Sequence, residues 1–135
     1  MRYLFLFLLS ILTTNLFGQV VRDTTNAKGI MLVAEKAPTF PGGPTELYKF
    51  ITSKLKYPKD ARKSGVQGRV IISFVVERDG SVKPESIKIE QSVHPSLDNE
   101  AIRVVKLMPK WTPAHHSGRD VRAKTAFPIV FSLDQ

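Results

Sequence analysis

The chain has 135 residues, 20 Lys and Arg against 12 Asp and Glu for a formal charge of +8, and no Cys. Without Cys there is no disulfide framework, thiol redox chemistry or cysteine-linked lipid, and the length suits one domain with one core. The positive balance directs attention to acidic partners, and for an exported chain these are anionic lipid, cell-wall polymers or acidic proteins, with no nucleic acid expected.

Arg2 precedes an apolar run from Tyr3 to Leu12, broken only by Ser10; Thr13, Thr14 and Asn15 follow, then Leu16-Phe17-Gly18-Gln19. This is the pattern of a signal peptide over residues 1–18, cut after Gly18. The competing reading is an uncleaved membrane anchor, for which the run falls short of the roughly 20 apolar residues a span needs. Residues 19–37 read as a flexible tail with a short strand at Ile30-Met31-Leu32-Val33, and residues 38–135 as the folded domain.

Phe40-Pro41-Gly42-Gly43-Pro44 predicts a rigid turn. From Thr45, Leu47, Phe50, Ile51 and Leu55 recur at helical spacing, and the helix should end before Tyr57-Pro58 because a residue preceding Pro avoids the α region. A second short helix is expected from Lys59 to Lys63, with Gly65 as its cap. Gly68 opens the strongest strand: Val70, Ile72, Phe74 and Val76 face a core, and the half-apolar alternate set, Arg69, Ile71, Ser73, Val75 and Glu77, implies a second face that is partly covered. Asp79-Gly80 is a tight hairpin signal, and the partner strand should run from Ser81 to about Glu90 with Val82, Ile87 and Ile89 inward and Pro84 marking an irregular or edge position.

Ser92 to Ser96 reads as loop, with Ser96 as N-cap of a helix whose apolar stripe is Leu97, Ala101, Val104, Val105 and Met108. Pro109 stops it. After Trp111-Thr112-Pro113, residues His115 to Asp120 form a polar turn. The last strand, Val121 to Leu133, points Phe127, Ile129, Phe131 and Leu133 inward and Pro128 the other way, which places it at a sheet edge. The fold class is α+β: a small antiparallel three-stranded sheet, made of a hairpin plus a C-terminal edge strand, packed against helices.

Little in the chain suggests catalysis. His115-His116 are adjacent and lack the further ligands a metal set needs, and His94 sits in a loop. There is no Gly-x-Ser-x-Gly, and Phe40 to Pro44 lacks the Lys-Ser/Thr of a phosphate loop. Asp79, Glu85, Asp98 and Glu100 each occupy a turn, strand rim or helix start. No enzyme activity, cofactor or metal is expected, and Trp111 reads as a packing anchor. The edge strand is the remaining feature. Its unpaired backbone groups invite another strand, and Arg122 and Lys124 either protect the edge or attract an acidic or polar peptide.

Tyr57-Pro58, Ala61, Gly65, Gly68-Arg69-Val70, Phe74-Val75-Val76, Asp79-Gly80, Ser92 to Leu97-Asp98, Ala101, Trp111-Thr112-Pro113, Gly118, Pro128-Ile129 and Phe131 form an ordered set that resembles the C-terminal domain of the TonB energy transducers. Phe40-Pro41-Gly42-Gly43 and the helix after it look like the form common in Bacteroidetes-type members. The resemblance runs from Pro38 to Leu133. It implies a periplasmic domain that binds the N-terminal TonB-box peptide of outer-membrane TonB-dependent receptors by strand addition, in energy-coupled transmembrane transport. On that basis the peptide-binding positions would be Arg122, Ala123, Lys124, Thr125, Ala126, Phe127, Ile129 and Phe131, with Tyr57 and Pro58 as a secondary contact. Gly65, Gly68, Asp79, Gly80, Trp111 and Pro113 would be structural. An anchored form would add the ExbB and ExbD motor proteins as partners. Full transducers carry a spanning N-terminal helix and a long Pro-rich spacer, which this sequence lacks, and residues 19–37 reach at most about 3.3–3.6 Å each. The alternative function is an exported basic binding module for cell-wall or other acidic partners with no energy-transducing role. An open edge strand also permits a homodimer by strand pairing.

Overall fold

The computed structural model describes residues 28–134, so the expected leader at 1–18 and residues 19–27 of the expected tail lie outside the described residues. The elements in chain order are α1 (Pro44–Lys54), α2 (Lys59–Lys63), β1 (Gly68–Val76), a 3-10 turn (Pro84–Ser86), β2 (Lys88–Gln91), α3 (Pro95–Lys106), β3 (Ala114–His116), β4 (Arg119–Val121) and β5 (Ala123–Phe131). The main sheet is antiparallel in the order β2-β1-β5, and β3-β4 form a separate two-stranded ribbon. The fold is the α+β arrangement expected.

β1 takes the middle because it is apolar on both faces, and a strand buried on both sides needs a neighbour on each edge. Val70, Ile72, Phe74 and Val76 are fully buried under the helices, while Ser73 and Val75 are also buried on the opposite face. β5 pairs with β1 along its whole length, from Gly68 opposite Phe131 to Val76 opposite Ala123. β2 pairs only over Ile71 to Ser73, with a register shift between Ile71 and Ile72.

The α2 C-terminus is a Schellman cap. Gly65 has φ 66°, its N–H donates to the Arg62 carbonyl at 3.2 Å, and the Val66 N–H reaches back to Ala61 at 2.9 Å. In the turn after β1, Asp79 Oδ1 accepts the Ser81 N–H at 2.9 Å and the Ser81 hydroxyl at 2.6 Å. α3 lays Leu97, Ala101, Val104 and Val105 into the core, the expected stripe, with Met108 packed at its margin. Trp111 then returns the chain to the sheet. Its ring meets Phe40 and Phe74 edge-on at 5.6 and 5.4 Å and stacks on Phe127 at 6.3 Å. Pro113, half-buried, leads from Thr112 into β3.

Five local expectations are corrected, the last of them in the amino-terminal segment. The partner strand of the hairpin is broken: Val82 makes a single bridge to Val76, Pro84 starts a 3-10 turn, and regular pairing resumes only at Lys88. Ser86 Oγ accepts the Val75 N–H at 2.8 Å, so a side chain satisfies the ladder donor that the interrupted strand leaves. The N-cap of α3 is His94, whose Nδ1 accepts the Ser96 N–H at 3.2 Å, because Pro95 fills the first helical position; the Ser96 hydroxyl donates instead to Asp60. The polar stretch from His115 is strand, not turn: β3 and β4 pair around Ser117-Gly118. The last strand does not start at Val121, since β4 and β5 are separated at Arg122.

Residues 30–33 do not form a strand. Met31 makes one parallel bridge to Ala123, and Lys36 and Thr39 make antiparallel bridges to His115 and Thr112. Residues 28–39 thereby run beside the start of β5 and then the ribbon.

Candidate functional site: the outer edge of β5

β5 has β1 on one side and, among the described residues, no full strand on the other. The Lys124 N–H donates to the Met31 carbonyl at 3.1 Å, and the Arg122 carbonyl accepts the Met31 N–H at 2.8 Å. Backbone groups alternate along a strand, so the even-numbered residues turn their N–H and C=O away from β1. Past Lys124 these are both groups of Ala126, the Pro128 carbonyl, and both groups of Val130. Among the described residues no backbone bond reaches them. Pro128 sits where its missing N–H falls on the outer side, so the proline costs the β1–β5 ladder nothing and removes one donor from the open edge.

The side chains divide in the same rhythm. Ala126, Pro128 and Val130 are exposed on the face away from the helices, while Phe127 is half-buried and Ile129 and Phe131 are each 1% exposed in the core. Phe127, Ile129 and Phe131, expected to contact a peptide, therefore build the strand's support; what the edge offers is main chain.

α1 runs beside this edge. None of its residues is buried, and Leu47, Phe50, Ile51 and Leu55 pack only against the core's margin. A groove of about 510 Å³ separates it from the end of β5, lined by Tyr48, Ile51 and Leu55, by Tyr57 and Arg62, and by Pro128 to Ser132. A smaller hollow of about 190 Å³ lies beside Thr125 to Phe127, walled by Phe40, Leu47 and Trp111. Tyr57 is fixed from three sides. Its ring meets Phe131 edge-on at 5.7 Å, Arg62 lies 5.2 Å from the ring centre, and its hydroxyl donates to the Val66 carbonyl. Pro58 ends the extended segment and becomes the N-cap of α2. The structure thus brings Tyr57 to the groove that borders the β5 edge.

Arg122 and Lys124 are already engaged. Arg122 forks onto Glu77, Nε to Oε2 at 2.7 Å and Nη2 to Oε1 at 3.1 Å, and its Nη1 donates to the Lys28 carbonyl at 2.9 Å. The bond to Glu77 raises the arginine's pKa further above its ordinary value. Lys124 Nζ donates to Glu90 Oε1 at 2.8 Å, and Ser73 Oγ donates to the same oxygen at 2.7 Å. These two bonds hold the Glu90 carboxyl down at about 2. Ala123 is buried and bridged to Met31. The positions expected at the start of the strand are therefore occupied by the protein itself.

The residues that sequence reasoning missed are Tyr48, Ile51, Leu55, Val130 and Met31. The α1 stripe is visible as a periodicity, but not that it borders an edge strand; Tyr48 and Val130, 65% and 58% exposed, flank the groove. Among the described residues no group of three His, Cys, Asp or Glu could hold a metal ion, and no helix is long and apolar enough to cross a membrane. His115 and His116 each face one carboxylate, Asp120 at 3.2 Å and Glu35 at 3.8 Å.

Residues 53–133 match the family described as Gram-negative bacterial TonB protein C-terminal. The chain is 29% identical over 85 residues to Protein TonB of one Helicobacter pylori strain, and 30% identical over 89 residues to that of a second. Each alignment covers 63% of this chain, and 29% and 28% of the respective relative, so the chain spans less than a third of those proteins. Two solution structures of the Helicobacter pylori TonB C-terminal domain superpose with TM-scores of 0.51 at 29% and 30% identity. They cover 67% and 70% of this chain and 94% and 88% of theirs.

Proposed function

The chain belongs to the TonB C-terminal domain family, and we propose that it serves TonB-dependent transport by accepting the amino-terminal peptide of an outer-membrane receptor as a fourth strand on the outer edge of β5. The observation that carries this reading is the row of five outward backbone groups on Ala126, Pro128 and Val130, without a backbone partner among the described residues. They lie beside an apolar groove that also contains Tyr57. Main-chain pairing supplies affinity in such an arrangement, and the groove receives alternate side chains of the guest. The setting is the periplasm, reached through the leader, with ExbB- and ExbD-type motor proteins as partners where the leader stays in the membrane. The role is one of binding, joined by force transfer where the leader stays in the membrane, and not one of catalysis.

NMR titration with synthetic amino-terminal receptor peptides tests this. The expected result is amide shifts at 126–131 and at Tyr48 and Tyr57. Ala126→Pro removes one outward donor without touching the β1 ladder, so it should weaken binding about 2- to 10-fold, the worth of one main-chain bond. Shifts confined to α2, with none in β5, would overturn the reading.

A second reading has its own observation. Lys54, Lys56, Lys59, Arg62 and Lys63 crowd the α1–α2 corner, and none joins an ion pair among the described residues. A basic module for cell-wall or other acidic partners would use this corner. Salt-sensitive retention on isolated sacculi, with no response to receptor peptides, would favour it.

A further inference from the structure

The outer edge of β5 is shared. Its first part is taken by the chain's own amino-terminal segment, which approaches as a parallel strand and stops after one bridge. The Met31 N–H donates to Arg122 and the Met31 carbonyl accepts from Lys124. Two further contacts hold the segment there. Arg122, braced by Glu77, donates Nη1 to the Lys28 carbonyl. Ile30 is only 8% exposed and lies with Val75 and Lys124 around a hollow on the sheet face turned away from the helices. From Lys36 to Thr39 the segment then leaves β5 for the ribbon, at His115, and for the chain just ahead of it, at Thr112. The edge is thus closed from the Arg122 carbonyl to the Lys124 N–H and, among the described residues, open beyond it to Val130.

We infer that residues 28–31 set the length and register of the guest strand: they act as a fixed stop that limits pairing on β5 to the stretch from Ala126 to Val130. This inference rests on the strand-addition reading and adds to it a partner of stated size, an extended peptide pairing through about five residues. A longer guest must either leave its extra residues unpaired or displace Met31, which breaks the two main-chain bonds that Met31 makes to β5 before the guest can form any in their place. The segment that stops the guest also belongs to the part of the chain leading back toward the leader. The chain's own segment and the guest therefore grip one strand at adjoining positions.

The test is a peptide length series, from four to nine residues of one receptor sequence, titrated against the full exported chain and two variants. Met31→Pro removes the donor to Arg122. Ile30→Asp unseats the segment from the sheet face and leaves the Met31 backbone intact. Faster hydrogen exchange of the Lys124 amide reports that the segment has lifted, and unchanged amide positions in α3 and β1 report that the fold has not. In the native chain affinity should rise to about five residues and then stay level, with no shift at Ala123 or Lys124. In both variants it should keep rising with length, by about 5-fold or more for the longest peptides, with new shifts at 122–124. A plateau at the same length in all three proteins overturns the inference, and so does a Lys124 amide that exchanges no faster in either variant. Long peptides that shift Lys124 in the native chain overturn it too. Absence of β5 shifts with every peptide and every protein is a different result: it removes the strand-addition reading itself.

Discussion

Gly80 shows how much one residue can settle. Its φ is 88°, in the region L side chains avoid, and a Cβ there would fall 2.0 Å from the Trp111 carbonyl oxygen. The same glycine's carbonyl accepts the Trp111 N–H at 2.8 Å, so the hairpin turn and the chain after α3 are locked backbone to backbone. Gly80→Ala should cost at least about 3 kcal/mol, strain and forced displacement together, read as a fall in urea midpoint with little change in slope. The dipeptide Asp79-Gly80 announces the turn; nothing in it announces Trp111 as the neighbour. Pro128 is the converse case. Its presence in a nine-residue strand is enough to place that strand at an edge, since a proline nitrogen must face away from the ladder. His94 is not legible as a cap because the usual Ser stands two residues on; the deciding residue is Pro95, which moves the helix start back by two residues.

At the level of elements, α3 and the sheet carry the domain and α1 rides on it. Leu97, Ala101, Val104 and Val105 are essentially inaccessible, whereas α1 has no buried residue. Leu97→Ala should therefore destabilise by about 2–5 kcal/mol in chemical unfolding. The sheet is also tied across its far face. Glu90 on β2 accepts from Ser73 on β1 and Lys124 on β5, so one carboxylate spans all three strands. Its pKa is depressed in the folded chain, from an ordinary 4.5 to about 2. Such a group lends stability above its unfolded pKa, and that stability is lost as pH falls toward the folded value. Asp60 and Asp79, bonded by Ser96 and Ser81, shift in the same direction. Glu90→Gln should flatten the acid side of the stability curve between about pH 4.5 and 2, measured by urea unfolding at stepped pH, and leave the neutral side level. The helices and β1 are legible in their periodicities, because each period reports one buried face. The interruption of the hairpin partner is foreshadowed only by Pro84.

For the molecule as a whole, charge and edge are arranged separately. Glu77, Asp79, Glu85, Glu90 and Glu100 each have a basic partner within 4 Å. Five of the basic side chains left without a carboxylate, Lys54, Lys56, Lys59, Arg62 and Lys63, fall at the α1–α2 corner, while the open strand edge beside it is lined by small apolar residues. Arg122 and Lys124 illustrate the separation. In the sequence they look like guards or lures on an edge strand; folded, they face Glu77 and Glu90 and hold the amino-terminal segment and the sheet. An edge left open over five residues, and closed beyond by the chain's own segment, suits a short guest and resists open-ended pairing between copies.

The sequence by itself determined the fold class, the core faces of β1 and α3, the edge position of the last strand and the resemblance to the family. The first three follow from local facts: periodicity, the φ of glycine, the missing donor of proline; the resemblance rests on the ordered set of motifs from Tyr57-Pro58 to Phe131. The tertiary structure alone decided which part of that edge is open, which charges are already paired and which helix walls the groove. Those depend on contacts between residues far apart in the chain, Met31 with Lys124, Glu77 with Arg122, Tyr57 with Phe131. A local pattern fixes which way a side chain points, but not what the rest of the chain brings to meet it.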